Sequence, residues 1–246
     1  MPAEAWARLR PQLESITVQP GDVLCQSGHP ATHVYFPTTA IVSLLHTTRE
    51  GASAEIAIVG CDGVVGISLF MGGNFMMSQA IVNSAGDAWR LSAHAAMAEF
   101  ARAGQVQNIV LRYTQSLIEH VAQIAACNRH HSIAQQLSRR LLDGLDRSAS
   151  DKLFMTQEML ANLLGVRREG VTAAAVKLQD AGVIRYRRGR IDVLDRERLE
   201  QCACECYAVT RKTHDRLLPA MPAIPAVRAA IPAVRALPAM AAIAAL

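Results

Sequence analysis

The sequence lacks the features that would place the protein in a membrane or outside the cell. No run of about 18 apolar residues occurs, so no helix is predicted to cross a bilayer. Residues 1–14 mix charges with Trp6 and Leu9 and lack the apolar core of a secretion signal. The six cysteines are irregularly spaced, which favours reduced thiols over a disulfide framework. We therefore expect a cytoplasmic protein with no membrane partner.

Charge is unevenly distributed along the chain. Residues 1–104 hold five arginines against eight acids, a balance of −3, whereas residues 105–246 hold 20 basic residues against 13 acids, a balance of +7. An acidic first part and a basic second part indicate a sensor joined to a nucleic-acid reader. The 246 residues are enough for two domains with cores of their own.

Short apolar runs separated by glycine-containing turns fill the chain from Ile16 to Leu91. This pattern predicts an antiparallel β-roll of the cupin-like jelly-roll type, and we assign residues 1–104 to it as a sensor domain. Short helices are predicted over residues 1–14 and 93–103. The predicted strands are 16–18, 23–25, 34–36, 41–45, 54–59, 64–69, 79–82 and 88–91.

A long helix is predicted over residues 105–130, where apolar side chains recur at steps of four and three. Such a seam is typical of a helix that pairs with a second copy of itself, although two apolar faces also suit a helix buried in a monomer. A further helix over 132–145 leads into the second domain. The residues predicted to form the dimer seam are Val106, Val110, Tyr113, Leu117, His120 and Ile124.

Residues 153–178 predict two short helices joined by a glycine turn. Thr156 is a suitable N-cap, Gly165 ends the first helix, and the second begins at Arg167. The outer face of the second helix begins with Arg168 and Glu169, which can bond guanine and cytosine in a major groove. A solvated arginine–glutamate pair would give the same pattern. The inner face is rich in alanine, so it can pack closely against the first helix. It consists of Val171, Ala174, Ala175 and Leu178.

An arginine-rich hairpin follows these helices. Residues 183–186 and 190–194 alternate as strands around a turn that contains Gly189. Its charges are placed to contact DNA phosphates. The arginines near its tip are Arg185, Arg187, Arg188 and Arg190.

This part of the chain resembles the winged helix of the CRP/FNR family of bacterial transcription regulators. The resemblance extends over about residues 15–218 and implies an α+β protein: a cyclic-nucleotide-binding-like β-roll, a dimerisation helix over 105–130 and a winged helix-turn-helix domain over 131–218. It implies a homodimer on double-stranded DNA, with RNA polymerase as a further partner. The matching residues are Met155-Thr156-Gln157-Glu158-Met159, Gly165, Arg168-Glu169, Val171, Leu178 and Gly182-Val183-Ile184.

The resemblance also implies which residues contact DNA, with Arg168 and Glu169 on the bases. The chain departs from the family at Arg167, where a serine cap is usual, at Gly170 inside the second helix, and at Ala173, where many members have a second base-reading arginine. The predicted DNA-contacting residues are Thr156, Gln157, Arg167, Arg168, Glu169, Thr172, Ala173, Arg185, Arg187, Arg188 and Arg190.

The ligand signatures of the family are missing from the roll. Members that bind cyclic AMP use Gly-Glu-Leu and then an arginine, where this chain has Gly66-Ile67-Ser68 and then Met76 or Met77. A buried phosphate needs a charge-assisted donor, although backbone amides can also cradle an anion. Iron–sulfur members need four cysteines, and only Cys25 and Cys61 precede residue 100. An apolar effector, or none, is favoured, and the cofactor stays unknown.

No metal site is predicted from the remaining cysteines and histidines. Cys202, Cys204 and Cys206 resemble a ligand cluster, but on one continuous helix Cys204 would point away from the other two. We expect them to pack as small apolar residues, with a redox pair of Cys202 and Cys206 as the alternative. Arg129-His130-His131 is predicted to be a solvated hinge or a helix start and not a metal site, because adjacent histidines point in different directions.

The sequence thus predicts a dimeric, sequence-specific DNA-binding regulator that is not an enzyme. An effector in the roll is expected to shift the hinge around 128–132 and re-aim the readers. Two alternatives stay open: a winged helix that contacts protein instead of DNA, and a cupin-like enzyme with a metal on His29, His33 and His46. Residues 219–246, rich in proline and alanine, are predicted to be a disordered tail.

Overall fold

The computed structural model describes residues 3–51, 53–73, 75–148 and 152–219. The chain folds as a roll of seven strands followed by a helical half with a second, smaller sheet. This architecture confirms the predicted α+β fold class. No helix among the described residues is long and apolar enough to span a membrane. The predicted tail beyond Pro219 lies outside the described residues.

The roll consists of two antiparallel sheets that enclose apolar side chains. Its strands are β1 (Glu14–Val18), β2 (Val23–Cys25), β3 (His33–Pro37), β4 (Ile41–Thr47), β5 (Ser53–Val59), β6 (Gln79–Ser84) and β7 (Gly86–Ser92). One sheet has the order β1–β7–β3 and the other the order β2–β6–β4–β5. Buried side chains alternate with half-buried ones over the first four residues of β3, where Val34 and Phe36 are buried, as expected for a strand with one face on the core. Helix α1 (Ala3–Leu9) packs against this core.

One predicted strand, over residues 64–69, is wrong. Val65 forms only an isolated bridge with Tyr35, and Ile67–Met71 is a 3-10 helix. The chain leaves the extended conformation at Gly66, whose φ of 98° no strand can accommodate. Val64 and Val65 are buried, and Ile67 and Leu69 are partly buried against the core of the roll, but this segment forms a tight turn and not a strand of a sheet.

The second half consists of helices around a three-stranded sheet. Helix α2 (Ala93–Phe100) follows the roll, and the 26-residue helix α3 (Gln105–His130) leads to residues 131–218, which we call the reader domain. The remaining elements are α4 (Ile133–Asp146), β8 (Lys152–Phe154), α5 (Gln157–Leu164), α6 (Arg168–Asp180), β9 (Ile184–Arg187), β10 (Arg190–Val193), α7 (Arg196–Cys202) and α8 (Glu205–Leu217). The small sheet has the order β8–β10–β9.

The predicted dimer seam of α3 is covered by its own chain. Side chains of this face pack into the core of the roll, and the hydroxyl of one of them donates to the Val64 carbonyl oxygen at 3.3 Å. The periodicity correctly indicated a buried face, but the face is buried against the roll and α8, so its assignment to a partner helix is wrong. The residues concerned are Val106, Val110, Tyr113, Leu117, His120 and Ile124.

A different stripe of α3 is exposed. Leu111 and Ile118 are 51% and 56% exposed although both are large and apolar. They alternate with smaller or polar residues at steps of four and three, which is the spacing of a coiled-coil face. The exposed stripe consists of Leu111, Gln115, Ile118, Ala122 and Ala125.

Two ion pairs join the roll to α4 and to Arg147, the residue that follows α4. Arg140 Nε lies 2.5 Å from Glu55 Oε1, and its Nη2 donates to Glu55 Oε2 at 3.1 Å, with the two side chains only 2% and 4% exposed. The same carboxylate accepts a hydrogen bond from Ser43, whose hydroxyl accepts one from Asn83. One buried polar network therefore runs from α4 through three strands of the roll. The second pair joins Arg147 Nη2 to Asp62 Oδ2 at 2.9 Å.

Candidate nucleic-acid interface

The reader domain is built on a single apolar core under α4, α5, α6 and the small sheet. Each helix contributes the apolar face that its sequence period predicts, while the opposite face stays polar. The fully buried side chains of this core include Leu137, Leu141, Leu160, Val171, Ile191 and Leu199. With its inner face fixed in this way, α6 has to present its other face to solvent.

The predicted N-cap of α5 is confirmed. Thr156 has an extended backbone, and its hydroxyl oxygen accepts from the Met159 backbone N–H at 3.1 Å. The wing is tied to the same region, because the Tyr186 hydroxyl donates to the Met155 carbonyl oxygen at 2.7 Å. The position of the hairpin relative to the two helices is thereby fixed by hydrogen bonds as well as by the core.

The structure places Arg167, Arg168, Glu169 and Ala173 at the exposed surface around the start of α6. Arg167 occupies the N-cap position, but its side chain makes no capping hydrogen bond. The helix end therefore keeps backbone N–H groups without a side-chain cap, and such groups favour an anion. Together with Arg167 and Arg168, these N–H groups are suited to contact the base edges and phosphates of a nucleic acid.

Thr172 and Gln157 contact each other. The Thr172 hydroxyl donates to Gln157 Oε1 at 2.9 Å, and the Arg168 carbonyl oxygen lies 3.0 Å from the same hydroxyl. Both side chains are only half-buried, so they can reach a ligand, but each already has a partner. This hydrogen bond joins α5 to α6 at the surface, and contact of either side chain with DNA stays a prediction.

Gly170 allows α6 to approach α4 closely. A Cβ at this position would lie 2.6 Å from Ile133 Cδ1. In the sequence this glycine is a departure from the family that weakens a helix by about 1 kcal/mol relative to alanine. The structure gives a compensating reason for it, since the missing side chain makes room for a neighbouring helix.

The wing carries its charge as predicted from the hairpin pattern. Arg188 and Gly189 have φ values of 51° and 77°, both positive, as the two-residue type I′ turn requires. Arg190 Nε donates to Asp192 Oδ1 at 2.8 Å, so its charge is partly balanced. The structure exposes all four predicted wing residues, Arg185, Arg187, Arg188 and Arg190.

The roll offers no cationic side chain for a phosphate in its second half. Between residues 50 and 101, Arg90 is the only lysine or arginine in the sequence. Its Nη2 lies 2.6 Å from Glu14 Oε2 on the outer strand β1. Met76 is buried and Met77 is exposed, so neither substitutes for an arginine.

A cavity of about 400 Å³ lies where the roll, α3 and α8 meet. Polar groups line it, including Asp62, Arg147 and His214. Burial lowers the pKa of His120, which also lines the cavity, to about 4, and its Nε2 has no hydrogen-bond partner among the described residues. The imidazole is therefore neutral at neutral pH. The sequence did not predict that His120 lines a cavity, because it occurs within an apolar stripe of α3.

The prediction of one continuous helix through Cys202, Cys204 and Cys206 is wrong. Helix α7 ends at Cys202, the backbone is extended at Ala203 and Cys204, and α8 begins at Glu205. Cys202 packs against the core of the reader domain and is not one of the residues that Cys206 clusters with among the described residues. Instead Cys204 and Cys206 lie together with two residues from the end of α3 and the hinge.

Comparison with known proteins matches both halves of the chain. The model of the cyclic nucleotide-binding domain matches residues 15–103, and the model of the Crp-like helix-turn-helix domain matches residues 134–202. The comparison with curated proteins gives no match. The two family models occur in the order that the sequence and the fold indicate, with the roll before the reader.

Several solved structures share this fold. FixK2 from Bradyrhizobium japonicum is 16% identical with a TM-score of 0.66, covering 78% of this chain and 98% of its own. A CRP-family transcriptional regulator from Thermus thermophilus, TTHB099, is 18% identical with a TM-score of 0.64, covering 76% and 96%. CLP from Xanthomonas campestris, described as a c-di-GMP-responsive global regulator, is 16% identical with a TM-score of 0.62, covering 78% and 99%.

At these identities the structures show the fold alone, while the two family models identify its parts in the sequence. The roll, the long helix and the winged helix-turn-helix, in that order, are the parts of one family of proteins. The chain belongs to the CRP/FNR family of transcription regulators.

Proposed function

We propose that the protein is a dimeric, sequence-specific regulator that binds double-stranded DNA through α6. The observation that carries this proposal is the exposed start of α6, where Arg168 and Glu169 stand side by side on a helix whose opposite face is packed into a core. A helix in this position can enter a major groove with its first turn. A bacterial regulator that binds chromosomal DNA acts in the cytoplasm, so the proposal includes a cytoplasmic location.

The charged side chains of the wing and of α6 have two different roles in DNA recognition. The wing arginines and Arg167 neutralise phosphates, which sets the affinity and makes it fall with salt. Arg168 can donate two hydrogen bonds to guanine N7 and O6, and Glu169 can accept from cytosine N4. Ala173 can make only an apolar contact. The protein therefore reads fewer bases by direct hydrogen bonds than it would with an arginine at this position.

Dimerisation uses the exposed stripe of α3. Leu111 and Ile118 are large, apolar and open to solvent, and the stripe keeps the four–three spacing over five positions. Two copies of one stripe can pack against each other across a two-fold axis, because each presents the same pattern. The two α6 helices then contact half-sites roughly 34 Å apart, one turn of DNA.

An effector acts on the junction between roll and reader. The Arg140–Glu55 and Arg147–Asp62 pairs connect the two parts, and the hinge at residues 128–132 directly precedes α4, the helix that carries Arg140. At the hinge Ser132 begins α4 with a capping box, in which its side chain and that of Gln135 bond each other's backbone N–H. A ligand that binds one arrangement of the junction better than another shifts the two readers toward that arrangement.

Selection of bound fragments from genomic DNA, followed by gel shifts on a selected fragment, tests the DNA proposal. We expect Arg168→Ala and Glu169→Ala each to lower the preference for the selected fragment over random duplex. Arg49→Ala and Glu50→Ala are matched controls, because they form an adjacent, exposed arginine–glutamate pair on the roll. Equal retention of wild type and both α6 variants would instead favour a winged helix that binds protein.

Sedimentation of the full chain tests the dimer. Ile118→Glu, which places two charges at the two-fold axis, should give monomers and weaken DNA binding. Val209→Glu is the control, since Val209 is a comparably exposed apolar residue on α8. A variant with Ile118→Glu that sediments as wild type would remove the exposed stripe from the dimer interface.

A further inference from the structure

We propose that Cys127, His131, Cys204 and Cys206 bind one thiolate-preferring divalent metal ion of the zinc class. The site lies where the end of α3, the hinge and the α7–α8 junction meet. It goes beyond regulation of transcription and stands whether or not α6 binds DNA.

The four ligand atoms have the spacing of a tetrahedral site. All of them lie within 4.8 Å of one another. Cys127 Sγ is 3.5 Å from Cys204 Sγ, and Cys206 Sγ is 3.5 Å from His131 Nδ1. Tetrahedral zinc with its usual bond lengths places two sulfurs about 3.8 Å apart and a sulfur and a nitrogen about 3.6 Å apart. The observed distances therefore need only small adjustments around an ion.

The backbone explains why these four residues converge. Cys127 and His131 are four positions apart at the end of α3, so their side chains leave the same face of the helix. Cys204 and Cys206 flank Glu205 at the extended break between α7 and α8. A cysteine on each side of a helix start can direct both sulfurs to one point, which a continuous helix could not do.

Neighbouring side chains orient the ligands. His131 Nε2 lies 3.2 Å from Glu205 Oε1, so its second nitrogen is held by a carboxylate while Nδ1 faces the sulfurs. Gln123 Nε2 donates to Cys206 Sγ at 3.0 Å. Carboxylate–histidine pairs and N–H···S bonds of this kind surround metal sites and fix the ligand geometry. With four protein ligands and three cysteines buried, the set is closed, which indicates a structural rather than a catalytic ion.

A positive charge lies beside the site, because Arg139 interacts with Cys127. Metal ions bind cysteine as the thiolate, so a divalent ion would displace the protons of the three thiols. One divalent ion and three thiolates leave one negative charge, which lies beside Arg139.

A bound ion would tie the end of the long helix to the C-terminal helix. Cys127 and Cys204 are 77 positions apart, and the ligand His131 belongs to the hinge at residues 128–132, directly before Ser132, the N-cap of α4. The ion would therefore fix the angle at which α4 leaves α3. The proposed effect is local rigidity of the hinge.

Metal analysis of the full chain, purified with a thiol reductant and added zinc, tests the proposal. We expect one zinc per chain, and we expect titration with Co²⁺ to give sulfur-to-metal charge-transfer and tetrahedral d–d bands. Binding should release about three protons per ion near neutral pH. Cys204→Ser, Cys206→Ser and His131→Ala should each lose these bands, whereas Cys202→Ser should keep them.

Glu205→Gln separates a positioning effect from loss of folding. It leaves all four ligands in place and should weaken Co²⁺ binding about 10- to 100-fold. The wild-type readings decide the question even if ligand variants fail to fold. A wild type with six free thiols that binds no Co²⁺ would overturn the proposal. So would a wild type whose Cys127 and Cys204 recover as a disulfide under the same conditions, or ligand variants that bind as tightly as wild type.

Discussion

Replacing Arg140 with alanine removes the cation from the buried network between roll and reader. Glu55 would then keep only the Ser43 hydroxyl as a partner, because the structure gives that carboxylate no other cation within bonding distance among the described residues. The side chains of the pair are 2% and 4% exposed, so water cannot take over the role of the guanidinium.

The expected loss of stability is large. Removing one partner of a buried ion pair costs about 3–5 kcal/mol, since an uncompensated charge stays buried. Replacing both partners by apolar residues, as in Arg140→Met with Glu55→Leu, should recover most of this loss. Ser43 would still bond Asn83 in that double variant. By contrast, Arg90→Ala removes an exposed pair with Glu14 and should cost at most about 1 kcal/mol.

Urea unfolding of the full chain measures these free energies with two probes. Trp6 and Trp89 both pack on the core of the roll, so fluorescence follows the roll, while far-ultraviolet circular dichroism follows the helices. We expect coincident transitions in wild type, because the buried network makes roll and reader unfold together.

The reasoning would be refuted by a small effect. If Arg140→Ala costs no more than Arg90→Ala, the network is not buried in solution. If the costs of Arg140→Ala and Glu55→Ala simply add in the variant that carries both, the two side chains are not coupled. Either result would also contradict the proposal that the ion pairs couple the roll to the reader domain.

Three further predictions concern single side chains. The pKa of His120 is about 4 in the folded chain and 6.5 in the unfolded chain, so the unfolded chain binds a proton first as the pH falls. The free energy of unfolding should therefore drop by roughly 3 kcal/mol from about pH 6.5 to pH 4. The His120→Leu variant should lack this dependence of its free energy of unfolding on pH. Thr156→Ala should destabilise the reader by about 1 kcal/mol in the same urea assay because the α5 cap is removed, while Thr156→Ser should not. Arg188→Ala should lower the slope of log affinity against log salt by about 0.9 for each phosphate that is no longer neutralised, roughly doubled in a dimer, and an unchanged slope would remove the wing from the DNA.

The reader domain was predictable because its signals are local. The Thr156 cap, the glycine turn and the alternating wing strands each depend on residues a few positions apart, and the structure reproduces them. The strands of the roll were found for the same reason, from apolar runs between turns. Residues 64–69 show where this fails, since burial without alternation does not distinguish a strand from a tight turn.

Contacts between distant segments could not be predicted. The apolar period of α3 shows which face is buried, but not whether a second copy or the roll covers it, and here the roll does. Glu55 and Arg140 are 85 positions apart, and nothing in either neighbourhood marks a partner. Cys127 and His131 did carry a signal, because they have the four-residue spacing of metal ligands at the end of one helix. The other two ligands, Cys204 and Cys206, could not be predicted, because they converge only through the break between α7 and α8.

The most direct test is the affinity of the dimer for a selected duplex relative to a random one, measured for wild type, Arg168→Ala and Glu169→Ala at the same salt concentration. We predict a marked preference in wild type that each substitution lowers by about 1–3 kcal/mol, with the affinity for random duplex nearly unchanged after Glu169→Ala. Identical preferences in all three proteins, or no binding of any duplex at low salt, would contradict the account.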